Sequence, residues 1–162
     1  MFVLGALIIE FAEEFSKVEK VKRVILYVLL GAFIVISHQK WLLPYISWYA
    51  NTAYCHTPFG YSGVTVLWYG LFVGLPIFCA ILVAAYSVPN GIKGLRDGQF
   101  PPKGVKVYKP TKIIRGRPSK VKSLGHLIAP LLFVVIGIWG SFQVENLPND
   151  PDSFDYSVCE SE

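Results

Sequence analysis

Three long apolar stretches, separated by polar ones, dominate the pattern of the sequence. The clearest runs from Val64 to Tyr86 and contains no charged residue. Another covers Leu124–Phe142, and a third begins at Val24. A helix needs roughly 20 apolar residues to cross the hydrocarbon core of a bilayer. The pattern therefore predicts three transmembrane helices, at 24–43, 64–86 and 124–142, with Pro44 ending the first because proline cannot continue helical hydrogen bonding.

The residues before the first stretch show a helical rhythm. Their apolar side chains recur at steps of three and four residues, at Met1, Leu4, Ile8, Phe11, Phe15 and Val18. Within the charged segment 1–23, this spacing predicts an amphipathic helix at 2–20 that lies in the membrane interface and leads into the first span. A helix packed on the protein's own loop is the alternative.

The stretch between the second and third spans, 87–123, is punctuated by glycine and proline and is here called the basic loop. Two short β-prone runs, Val105–Tyr108 and Thr111–Arg115, flank Lys109 and Pro110 and predict a small β-hairpin. The expected fold class is thus an all-α integral membrane protein. It has three transmembrane helices, an N-terminal amphipathic interfacial helix and a small hairpin in the basic loop.

Composition and charge agree with a membrane protein and orient it. Hydrophobic residues make up 53% of the chain and charged residues 16%, against about 25% charged in soluble domains. The basic loop has ten basic residues and one acid, so its net charge is +9, whereas the tail 143–162 has six acids and no base. Because positive loops stay inside, we expect a cytoplasmic amino terminus and basic loop. The loop 44–63 and the acidic tail are then on the outer side of the cell (plasma) membrane, periplasmic or extracellular.

The charge of the basic loop exceeds what orientation requires. Basic side chains near an anionic leaflet each contribute about 1 kcal/mol of attraction. We therefore expect anionic lipid headgroups to bind Lys106, Lys109, Lys112, Arg115 and Arg117. Nucleic acid is not an expected partner, because stacking aromatics are scarce in this loop.

Gly70 and Gly74 form a GxxxG pair in the second span. Small residues four apart let two helix backbones approach closely within a membrane. The pair is predicted to pack helices, either inside one three-helix unit or between copies of the chain in a homo-oligomer.

The topology places Cys55 and Cys159 on the same oxidising side, where thiols that can meet form disulfides. We predict a bridge between them, with unpaired thiols or a bridge to another subunit as the alternatives. His38 and His56 also lie on this side, but their spacing matches no metal or haem motif. No metal or other cofactor is expected.

Catalytic signatures are missing from the sequence. The apolar stretches carry no Asp or Glu, and the chain has no GxSxG, HExxH or phosphate-binding loop. We therefore expect a non-enzymatic protein that serves as an accessory or scaffold subunit and binds a protein partner. The alternative is a small channel or transporter subunit that acts as an oligomer, since three helices enclose little space.

Two stretches resemble a group of small uncharacterised bacterial inner-membrane proteins. They are WYGLFVGLP (Trp68–Pro76) and GQFPPKGVKVYKPTKIIRGR (Gly98–Arg117). Members of that group pair a glycine-rich span with a cytoplasmic F-P-P-x-G segment and a basic stretch. The resemblance implies a bacterial inner membrane and carries no known activity.

Overall fold

The computed structural model describes residues 10–147 and 151–161, and most of them are helical. The long helical elements are α1 (Lys17–Ser37), α2 (Leu43–Thr52), α3 (Gly63–Tyr69), α4 (Leu75–Asp97) and α5 (Arg117–Val144). Continuous helical runs at Lys17–Cys55, Gly63–Asp97 and Arg117–Val144 are long and apolar enough to cross a membrane.

The first helical run passes through Pro44, so the prediction that this proline ends the helix is wrong. A π-helical turn, His38–Leu42, joins α1 to α2. In it, the N–H of Leu43 bonds to the carbonyl of His38, five residues back. A proline ring would press on the carbonyl four residues before it in an α-helix. The wider turn immediately ahead of Pro44 lets the helix continue.

The second helical run repeats this arrangement. A π-helical turn, Gly70–Gly74, joins α3 to α4, and it is again followed directly by Leu-Pro, here Leu75 and Pro76. The N–H of Leu75 bonds to the carbonyl of Gly70. The predicted GxxxG pair thus forms the two ends of a widened helical turn.

The last two helices extend beyond the predicted spans. α4 continues from the predicted end at residue 86 to Asp97, and α5 begins at Arg117 instead of residue 124. Hydropathy locates only the apolar part of a helix, whereas the end of α4 and the start of α5 are each set by a glycine with positive φ. Gly98, with φ of 63°, follows α4, and Gly116, with φ of 75°, precedes α5. The non-helical part of the basic loop is therefore 98–116.

The chain divides into two compact units. One comprises Met1–Leu26 and Val83–Pro130, and the other comprises Tyr27–Leu82 and Leu131–Glu162. In the first, β1 (Gln99–Phe100) pairs antiparallel with β2 (Ile114–Arg115). The predicted hairpin around Lys109 and Pro110 is therefore wrong in its pairing.

The N-terminal segment, residues 10–16, supplies the missing partner for the β-prone runs. It is extended, so the predicted helix at 2–20 is wrong from residue 10 to residue 16; residues 1–9 lie outside the described part. Phe11 pairs antiparallel with Lys112, and Glu14 pairs in parallel with Val107. The segment lies between the two runs and bonds to both.

A capping box sets the start of α1. The backbone N–H of Ser16 donates to Glu19 Oε2 at 2.8 Å, and the N–H of Glu19 donates to Ser16 Oγ at 3.2 Å. This reciprocal pair satisfies donors that the first helical turn leaves free. Residues before Ser16 remain available for backbone pairing with the basic loop.

Small residues allow close helix contacts within each unit. In the first unit, a Cβ added at Gly91 would lie 2.8 Å from the carbonyl oxygen of Ser123, whose side chain is fully buried. In the second, a Cβ at Gly137 would lie 3.4 Å from Ile77, and one at Gly140 would overlap the carbonyl oxygen of Phe72. Helices without large side chains between them approach closely enough for backbone contact.

Candidate functional site

The basic loop is tied to the N-terminal segment by backbone hydrogen bonds. The N–H groups of Ala12 and Phe15 donate to Thr111 and Val107 at 2.9 and 3.1 Å. In return, the N–H of Val107 donates to Glu13 at 2.8 Å. Bonds in both directions hold the non-helical loop in a defined shape.

Ion pairs reinforce this attachment and occupy two of the predicted lipid-binding residues. Lys106 Nζ lies 3.0 Å from Glu19 and 3.3 Å from Glu13, and Arg115 pairs with Glu10. The carboxylates of Glu19 and then Glu13 raise the pKa of Lys106 above its usual value. These two basic side chains are therefore compensated within the chain.

The other three predicted lipid-binding residues differ in their environment. Lys109, Lys112 and Arg117 are exposed, and none forms an ion pair with any residue in 10–147 or 151–161. Lys109 and Lys112 bracket the turn between the two β-prone runs, and Arg117 begins α5. The structure thus separates the five residues into a paired set and an unpaired set.

Aromatic packing supports the junction between the N-terminal segment and α1. Phe15 lies 5.1 Å from the ring of Tyr108, and the guanidinium of Arg23 lies 4.1 Å above the Phe15 ring. A cation over an aromatic face is attracted by the ring quadrupole. The contact orders a basic residue beside the loop.

The second unit contains an aromatic cap, defined here as residues 45–63 with the attached tail. Cys55 and Cys159 form a disulfide with Cα atoms 5.6 Å apart. Beside it, Tyr54 lies 4.8 Å from the ring of Phe154 in the tail. The cysteines that the sequence predicts to pair are therefore joined, and they fasten the described tail residues to the cap.

His56 is held inside the cap by aromatic and polar contacts. Its ring stacks on Tyr49 at 5.5 Å and lies 5.3 Å from Trp48, while Nε2 lies 3.0 Å from Thr52 Oγ1. Because Thr52 donates to the Trp48 carbonyl at 2.9 Å, its oxygen is left to accept from His56. Among the described residues, no three His, Cys, Asp or Glu side chains are grouped to hold a metal ion.

The predicted helix-packing glycines face away from close contacts. A Cβ added at Gly70 would meet nothing within 4 Å, and one at Gly74 would meet only the Tyr69 carbonyl at 3.8 Å. They instead line an open, mostly apolar groove of about 780 Å³. The groove is lined by Tyr61, Thr65, Val66, Tyr69, Gly70, Val73 and Gly74.

Two positioning features were missed from the sequence. The Ser16–Glu19 capping box has the spacing S-x-x-E, which marks the helix start and was readable in advance. The contact of Gly140 with the Phe72 carbonyl had no such signal, because it depends on how α5 meets the second π-helical turn.

Comparison with known proteins adds no relative. No protein-family model, no curated protein and no solved structure matches the chain. The resemblance carried by Trp68–Pro76 and Gly98–Arg117 therefore stays a prediction.

Proposed function

We propose that the chain is a non-enzymatic membrane protein, an accessory or scaffold subunit that holds a folded basic platform against an anionic leaflet. The platform consists of the N-terminal segment together with residues 98–116. Within residues 10–147 and 151–161, three helices are long and apolar enough to span a bilayer, which supports the membrane location. The proposed orientation places the platform in the cytoplasm of a bacterium and the aromatic cap in the periplasm.

The observation that carries this proposal is the division of the basic side chains. Lys106 and Arg115 are compensated by Glu19, Glu13 and Glu10, and these pairs reinforce a loop that backbone hydrogen bonds to the N-terminal segment already hold in shape. Lys109 and Lys112 project from that ordered loop without acidic partners among the described residues. Unpaired cations on a rigid support are free to attract lipid phosphates, whereas compensated ones are not.

The division gives a matched experiment. The double variant Lys109→Gln/Lys112→Gln and the control Lys106→Gln/Arg115→Gln remove the same charge. Two basic residues near an anionic surface contribute about 2 kcal/mol, or roughly a thirtyfold preference before salt screening. The full-length protein is extracted from mixed-lipid nanodiscs, and the ratio of anionic to zwitterionic lipid that stays bound to it is measured.

We expect the first variant to lose anionic lipid and the control to keep most of it. Equal losses would show that only total charge matters. Unchanged ratios in both would leave orientation as the sole role of these charges and overturn the platform. Circular dichroism of both variants would check that the helices remain.

The second candidate function is an oligomeric channel or transporter subunit. It is favoured by one observation, the open groove at Gly70 and Gly74, where a second copy's helix would fit closely. Gly74→Leu would fill the groove and should then reduce the mass of the particle in gentle detergent and in nanodiscs. A wild-type monomer in both media would exclude this function.

A further inference from the structure

Phe59 occupies a position that its own fold does not explain. The residue is 95% exposed, and its backbone has φ of 57°, the left-handed region. A bulky side chain is disfavoured there, and glycine or asparagine is the usual choice. Strained backbone of this kind persists where the surroundings impose it and commonly marks a functional contact.

The loop that carries Phe59 is closed and braced. The N–H of Gly63 donates to the carbonyl of His56 at 2.9 Å, which joins the two ends of the loop. Inside it, Gly60 bonds to Thr57 at 3.2 Å and Tyr61 bonds to Pro58 at 3.1 Å. Since Cys55 is held by its disulfide one residue before His56, the loop presents the aromatic ring on a fixed support.

The position of the loop along the helical run indicates what surrounds the ring. Val64, the first residue of the second predicted span, directly follows the closing residue Gly63. Phe59 is three residues from His56, so its Cα lies within about 11 Å of the closed end. A headgroup layer is about 5–7 Å deep on each side of the hydrocarbon core, and an aromatic side chain covers most of the remaining distance.

The chemistry of the loop fits the same environment. Residues 41–63 contain no Lys, Arg, Asp or Glu. Exposed aromatics accompany Phe59, among them Tyr61 in the loop and Tyr45 at the start of α2. Tyr side chains concentrate at the interface between the membrane and water, and Phe is among the apolar side chains that bury at the boundary between headgroups and acyl chains.

We propose that Phe59 inserts into the headgroup–acyl boundary of the outer leaflet and anchors the aromatic cap to the membrane surface. The inference rests on the proposed membrane location and adds a lipid contact at a defined residue. A protein partner that covers the ring is the competing occupant.

Photocrosslinking in intact cells tests this directly. The variant Phe59→p-benzoylphenylalanine keeps an aromatic side chain and captures its neighbour, which mass spectrometry identifies. The matched control is Phe33→p-benzoylphenylalanine, on the exposed apolar surface of α1. The Cys55–Cys159 bridge, mapped without reduction, reports whether each variant has folded.

A phospholipid adduct at residue 59 supports the inference. A phospholipid adduct at residue 33 and none at residue 59 overturns the inference about Phe59 but still supports the membrane location. The absence of lipid adducts at both positions defeats both proposals. A protein adduct at residue 59 overturns the lipid contact in favour of a partner.

A second variant tests the inference if the protein that carries p-benzoylphenylalanine at position 59 does not fold. Cys79, the free cysteine in the described part of the chain, is first changed to serine. Phe59→Cys in that background is then labelled with a polarity-sensitive fluorophore in nanodiscs. Emission that is blue-shifted relative to the same dye free in water supports insertion. A water-like spectrum in nanodiscs overturns it.

Discussion

Gly140→Ala provides the sharpest test of the helix packing. The added Cβ would overlap the carbonyl oxygen of Phe72 and lie 3.0 Å from its carbonyl carbon and 3.1 Å from its Cβ. Two of these three atoms belong to backbone, which cannot rotate away as a side-chain tip can. The helices must separate, and overpacking of this kind costs about 1–3 kcal/mol.

Gly125→Ala is the matched control because it makes the same change in the same helix. A Cβ at Gly125 meets nothing within 4 Å. Replacing glycine by alanine inside a helix gains up to about 1 kcal/mol from propensity, and this gain applies to both variants. The difference between them therefore isolates the clash, at about 1–3 kcal/mol.

Gly137→Ala should fall between the two variants. Its nearest neighbour would be Ile77 Cδ1 at 3.4 Å, the flexible end of a side chain. The assay is equilibrium unfolding of the full-length protein in mixed micelles of mild and denaturing detergent, followed by helical content. Equal stability of Gly140→Ala and Gly125→Ala would refute the close contact between α5 and the second π-helical turn.

Three further predictions concern other parts of the chain. In a background without native cysteines, a cysteine at Lys109 should resist an impermeant thiol reagent in intact cells and one at Asp152 should react; the reverse pattern would overturn the proposed orientation. Cys159→Ser should loosen the tail and expose the Phe154 region to protease, because the disulfide is its covalent attachment to the aromatic cap; unchanged digestion would show that the bridge is dispensable. Ser16→Ala should lower the free energy of unfolding by about 1 kcal/mol through loss of the helix cap, measured in the same micelles against Ser62→Ala at the start of α3, where the serine side chain forms no cap hydrogen bond; equal stability of the two variants would argue against the capping box.

The apolar stretches were sufficient to predict the long helices, because length and hydropathy determine whether a segment can cross a bilayer. They could not locate the helix ends, which depend on Gly98 and Gly116 with their positive φ. Nor could they show that Pro44 is tolerated, since that requires the widened turn from His38 to Leu42.

The basic loop shows why pairing partners are harder to predict than strands. Both β-prone runs do pair with the N-terminal segment, about 100 residues away in sequence, and the second run also pairs through Ile114–Arg115 with Gln99–Phe100. A stretch as short as Phe11–Phe15 can have helical spacing of its apolar residues and still form β-pairs. Its hydrogen bonds with the basic loop favour the pairing. The division of the basic residues into paired and unpaired sets follows from that choice, and charge counting alone could not have found it.

The two π-helical turns also change which residues share a face along each helical run. Each adds one residue to the helical repeat, and a residue corresponds to about 100° of rotation. Apolar stripes drawn from Val24 to Ser37 and from Leu43 to Thr52 therefore lie out of phase by that angle. A homologue that lacks the proline after such a turn should also lack one residue within it. Paired changes of this kind, a one-residue gap beside a lost Leu-Pro, would be the evolutionary signature of the turn.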